Sequence, residues 1–265
     1  MKAGHVYIES VGLAAPGLAD WTAAIEILGK GSPYMPAELP RFSPSLLPPN
    51  ERRRATTSGR LAFQAAEEAV RRSDIAAKDM GAVFASGSGD TEVLDRMCNV
   101  LSTPERQVSP TDFHNSVHNA AAGYWSIATG SRLPSTALSG FDSTFAVGLM
   151  EAVTTALAEE IPVLMVAYDM KPPPTLLQVR QITAPFGCAL LLTPQERPSS
   201  VMSLLINGDV SVPESSMADG ALELLRIGNP AARALPLLQL FAQRRGGVVG
   251  LRYFEQTLAV ELKPC

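Results

Sequence analysis

The stretch Pro134–Glu151 holds the residues best placed to do chemistry. Its pattern predicts a strand ending near Ser135–Thr136, a corner of small residues and then a helix. Ser139 sits in that corner, where an alcohol can become a nucleophile if a neighbouring base takes its proton. The local sequence is Leu-Ser-Gly-Phe, not G-x-S-x-G, and no partner base carries a signature. Ser139 therefore reads first as a helix cap that satisfies a free N–H. No thiol occupies the corner, and Cys98, Cys188 and Cys265 are widely scattered. Cys188 lies in an apolar strand pattern and is expected to be buried and inert. Cys98 falls on a helical pattern among charged and apolar residues, and Cys265 is terminal.

His114 and His118 stand four apart, but Asn115, Ser116 and Val117 lie between them. A zinc site on a helix would want a glutamate there and a third ligand. The pair reads as hydrogen-bonding groups of a polar loop, so no metal and no cofactor are expected. Asp142, in the first turn of the helix after the corner, suits the positive end of the helix dipole. Asp169 follows a strand, where α/β proteins place functional groups, and is expected to anchor a loop. The run Arg52-Arg53-Arg54 reads as a solvated helix start.

The elements that position these residues follow from periodicity. Alternation in His5–Val11 gives a strand, and Asp20 can cap a helix over Trp21–Leu28. Residues 32–50 are rich in proline and form an ordered loop. Leu61, Ala62, Ala65, Ala66, Ala69 and Val70 recur at helical spacing, an alanine-rich face suited to close packing. Strands are expected at Gly81–Ser86, Pro162–Ala167, Cys188–Thr193 and Val201–Ile206. Helices are expected near Val93–Leu101, over Asn119–Thr129 and from Phe141 to Ala158. Beyond these come helices at Leu222–Leu225 and Leu235–Phe241 and a hairpin of Val248–Phe254 with Leu258–Leu262. The alternation predicts an α/β fold with a mixed, mostly parallel sheet and helices on both faces.

The chain has 265 residues, 46% of them hydrophobic, and a net charge of −4, enough for one sizeable core. That balance, without a basic tract, argues against nucleic acid as a partner. No window has the ~20 apolar residues of a membrane span. The N-terminus does not read as a secretory signal, and the cysteines form no disulfide framework, so a cytoplasmic location is expected.

Several strings, in order, carry a resemblance: RLAFQAAEEAVRR (Arg60–Arg72), SPTDFHNSVHNAAAGYWSIATG (Ser109–Gly130), AVGLMEAV (Ala146–Val153) and ITAPFGCALLLTP (Ile182–Pro194). Together they resemble the N-terminal half of β-ketoacyl synthases, which have the thiolase-like fold. The resemblance implies a synthase-like domain over residues 1–198, with 199–265 as an extension packed on the same body. Counting from the two flanks puts the synthase cysteine at about Gly140 or at Leu138. The nucleophile-equivalent corner is therefore Leu138, Ser139 and Gly140, and it lacks sulfur. The chain also ends before the half of the fold where synthases keep their histidines; only His5, His114 and His118 occur.

Claisen condensation needs a thiolate to carry the acyl chain and imidazole donors for the developing enolate. Among synthase relatives, the chain length factors are those that lose the cysteine. The resemblance thus implies a non-catalytic subunit, similar to those of aryl-polyene-type type II polyketide pathways. Its implied partner is a complete synthase, with acyl carrier protein reached through the complex. By the same resemblance, Phe113, Asn115, Val117, His118 and Phe141 are candidates for the acyl tunnel or interface. The competing expectation is a standalone serine acyltransferase or thioesterase that uses Ser139.

Overall fold

The computed structural model describes residues 4–208 and 212–265. In chain order the strands are β1 (Val6–Ala14), β2 (Gly81–Ala85), β3 (Ser135–Leu138), β4 (Val163–Asp169), β5 (Phe186–Thr193), β6 (Met202–Asn207), β7 (Gly247–Tyr253) and β8 (Gln256–Pro264). The helices are α1 (Trp21–Ala24), α2 (Pro49–Arg54), α3 (Thr57–Arg71), α4 (Thr91–Leu101), α5 (Pro110–Asn115), α6 (Ala120–Thr129), α7 (Thr144–Glu159), α8 (Pro174–Leu177), α9 (Gly220–Ile227) and α10 (Leu235–Ala242). The helix expected over Trp21–Leu28 is α only as far as Ala24 and widens into a π turn at Ile25–Gly29.

All eight strands form one sheet in the order β3-β2-β4-β5-β1-β6-β8-β7. The sheet is mixed, as expected, but parallel pairing is confined to β3-β2-β4, and the other five pairings are antiparallel. The reason lies between β4 and β5. A parallel return needs a packed crossover, usually a helix. Here the link holds only the four-residue α8, which buries nothing, so β5 starts beside the end of β4.

The two core layers follow from strand alternation. Val163, Met165 and Ala167 of β4 face α7, α9 and α10, while Leu164, Val166 and Tyr168 face α3 and α6. Each buried apolar side chain of the Val or Leu kind contributes about 1.5–3 kcal/mol. Helix α7 lies very close to the sheet: a Cβ on Gly148 would sit 2.8 Å from the Ala85 Cβ and 2.9 Å from the Met165 Cε.

Two buried glutamates on α3 hold the chain around it. Glu68 accepts from the amides of Leu13 and Trp21. Glu67 accepts from Ser45 N and Leu46 N, each at 3.0 Å, which orders the proline-rich loop. Strands β6, β8 and β7 continue the sheet begun by the preceding elements.

Candidate functional site

The corner lies where the parallel strands end. β3 stops at Leu138, Ser139 and Gly140 connect, and a 3₁₀ turn over Phe141–Ser143 leads into α7. The residue in the left-handed region is Phe141, with φ 53°, while the glycine before it has φ −134°. A bulky residue with positive φ is an outlier and carries strain of about 1–3 kcal/mol. The corner expected at Leu138, Ser139 and Gly140 thus runs one residue further, and its apex is Phe141.

Thr144, fully buried, supports the apex from below. Its Oγ1 accepts from Gly140 N at 3.1 Å and donates to the Phe141 carbonyl at 2.6 Å. From above, the Arg180 guanidinium lies 4.1 Å from the centre of the Phe141 ring. Arg180 also pairs with Asp142 at 2.7 Å. Even so, Phe141 is 61% exposed. It lines a recess of about 340 Å³ with Asp142, Val179, Arg180, Ile227 and Pro230. Asp142 stands, as expected, in the first turn of the segment leading into α7, and it adds the direct ion pair with Arg180. Nothing in the sequence singled out Arg180; its one signal was a cation in an otherwise uncharged run (Gln178-Val179-Arg180-Gln181) between two strands.

Asp169 ends β4 with no exposed surface. Its carboxylate accepts from Ser86 Oγ at 3.0 Å, Gly87 N at 3.0 Å and Ser88 N at 3.1 Å. Burial pushes its pKa up from 3.8 to about 6, against the opposing pull of those donors and of Arg180. The loop anchor expected at this residue is present, and the anchored segment is the turn after β2.

The expected tunnel residues cluster only in part. Phe113 and Val117 are exposed, and Asn115 is buried, donating to the Arg54 carbonyl and accepting from the Tyr124 hydroxyl. His118 Nε2 lies 3.0 Å from the Ser86 carbonyl. His114 instead packs edge-on against Tyr124, so the two imidazoles serve different neighbours. Among the described residues Ser139 Oγ reaches only the Gly87 carbonyl and the Phe141 amide, both at 3.5 Å. Among the described residues no hydrogen bond joins it to a base. Cys188 is buried in β5 and its pKa is pushed up by burial, whereas Cys98 and Cys265 are exposed. A second groove, of about 700 Å³, runs between the loop 38–43 and α3 beside Met170 and Pro185, and takes in none of the corner residues. Among the described residues no helix is long and apolar enough to cross a membrane.

A family model described as "Beta-ketoacyl synthase, N-terminal domain" matches residues 29–227. The chain belongs to that family, and its half-fold is thiolase-like. Similar folds occur in a solved complex of the ketosynthase ApeO with its chain length factor ApeC from Xenorhabdus doucetiae. The match there has 24% identity and a TM-score of 0.71, covering 97% of this chain and 98% of that one. The ishigamide ketosynthase/chain length factor is similar at 13% identity and a TM-score of 0.72, covering 98% of this chain and 99% of that one. So is AntDE:AntF, a type II polyketide acyl-carrier protein in complex with its ketosynthase, at 13% identity and a TM-score of 0.72, covering 99% of this chain and 100% of that one. No curated protein matches the chain.

Proposed function

We propose that the chain is a non-catalytic, chain-length-factor-like subunit. It pairs with a complete β-ketoacyl synthase through β3 and shapes the acyl tunnel of that enzyme during polyketide, aryl polyene or fatty-acid-like elongation. The observation that carries this reading is the open edge of the sheet. β3 is an edge strand, Ser-Thr-Ala-Leu, free of charge and half exposed. The carbonyls of Pro134 and Leu138 turn inward to β2. Alternation then leaves the amides and carbonyls of Ser135 and Ala137 facing outward. Among the described residues no backbone hydrogen bond from another segment reaches that side. An uncharged edge with outward amides and carbonyls is a template for a strand of another chain.

Two further observations support the reading. The corner carries Phe141 at its apex and no sulfur, so it cannot hold an acyl group as a thioester. The similar solved chains come from ketosynthase complexes, two of which name a chain length factor. In this reading residues 1–198 form the synthase-like unit, 199–265 extend its sheet, and the complex works in the cytoplasm. Acyl carrier protein meets the chain only through the complex.

The experiment is co-expression with a β-ketoacyl synthase encoded beside it. The expected result is a stable heterodimer that elongates malonyl-carrier-protein units, while the chain alone self-associates and turns over nothing. Isolation of a well-behaved monomer that never binds the synthase would overturn the proposal. So would acylation of the lone chain by an acyl thioester, if it were lost in Ser139→Ala.

A further inference from the structure

The turn Ser86–Asp90 joins two regions that are far apart in sequence. On one side the Ser86 carbonyl holds His118 Nε2 at 3.0 Å. On the other side Ser88 Oγ accepts from Arg180 Nε at 2.9 Å, and Arg180 lies over the Phe141 ring. Both contacts depend on where the turn sits, and one fully buried carboxylate fixes the turn through three hydrogen bonds. We infer that Asp169 is a positioning residue that holds the 113–118 segment and the Phe141 apex in one fixed relation. The arrangement is a property of the chain itself; only its effect on product length rests on the proposed pairing role.

The chemistry of the carboxylate is what makes it suited to this. All three partners are donors, and Asp169 offers acceptors alone when ionised. An amide of the same shape would turn an N–H toward Gly87 N in one orientation, and toward Ser86 Oγ and Ser88 N in the other. In the first orientation two N–H donors meet; in the second an N–H faces Ser88 N. The charged and titratable groups around the hub are Arg180 and Asp142 on the Phe141 side, His118 beneath Ser86, Asp90 at the end of the turn and Tyr168 on β4. Arg180 is a cation facing the hub, so the ionised form keeps both arms in place.

Asp169→Asn in the full chain, alone or co-purified with its synthase, tests this by hydrogen exchange and by carbon NMR of the Phe141 ring. Exchange is expected to rise about ten-fold at 86–90, at 113–118 and at 139–142 together. The Phe141 signal of the unaltered chain should show a pH inflection near 6. That inflection should persist in His118→Ala and vanish in Asp169→Asn. A rise confined to 86–90, or an inflection that survives Asp169→Asn, would overturn the inference. Should Asp169→Asn not fold, Ser88→Ala decides. Faster exchange at 139–142 with 113–118 unchanged supports the hub, and no change at 139–142 refutes it. Each readout stands whether or not a synthase binds, so failure of the pairing reading is seen separately.

Discussion

The two edges of the sheet are built in opposite ways. At one end, β7 is covered by its own chain: Ser215 N donates to the Gly250 carbonyl at 2.9 Å, and Gly250 N donates to Ser215 Oγ at 3.0 Å. The approach is so close that a Cβ on Gly250 would lie 2.0 Å from the Pro213 carbonyl oxygen. At the other end, β3 is short, uncharged and without such a cover among the described residues. The bare edge is the one that the proposed pairing with a synthase would use. The strained Phe141 corner begins at the end of that same strand.

The largest expected effect comes from blocking the open edge. Ala137→Pro removes an outward N–H that no partner among the described residues uses, so the chain should still fold. Its affinity for the synthase should drop on the order of 100-fold, as expected when edge hydrogen bonds are lost and a ring enters the interface. Calorimetry on the co-expressed pair, with thermal melting of the variant, checks both halves. Gly250→Ala is the opposite experiment. Its methyl group collides with backbone, so stability should fall by about 2–4 kcal/mol while binding by the surviving folded fraction is unchanged. If Ala137→Pro unfolds the chain and Gly250→Ala is silent, the contrast between the edges is wrong.

Next in size are the aromatic residues near the proposed tunnel. Phe113→Ala and Phe141→Ala in the complex should lengthen or broaden the product distribution, read by mass spectrometry. An unchanged distribution removes the residue concerned from the tunnel. Phe141→Gly separates shape from strain. Glycine adopts positive φ freely, a gain of about 1 kcal/mol, and losing the Arg180 contact costs about 0.5–1 kcal/mol. The melting temperature should therefore barely move while the products shift.

Much of this was legible in the sequence where periodicity was strong. Strands β2, β4 and β5 and helices α3 and α7 appear within a few residues of their expected bounds, because each buries a continuous apolar run or face. The strand directions were not legible. Alternating strands and helices suggest parallel pairing, and only the failure of residues 170–185 to form a packed helix turns β5 around. The apex of the corner was hidden for a related reason. Residue type puts the left-handed conformation on Gly140, whereas packing and Thr144 put it on Phe141. Arg180 was invisible because its three attachments, to Ser88, Asp142 and Phe141, are all distant in sequence.

The last predicted effect concerns the buried carboxylate that serves the open end of the sheet. The pKa of Asp169 is raised from 3.8 to about 6, chiefly by burial. Between those values the folded chain holds a proton that the unfolded chain has lost. Stability from this group is therefore complete below about pH 4 and is lost as pH rises through about 6. Asparagine cannot titrate, so the stability deficit of Asp169→Asn should widen as pH is lowered from about 7.5 to about 4.5. Urea melts of both proteins at the two values measure it. A deficit that is constant or narrows toward low pH would mean that the three donors outweigh burial.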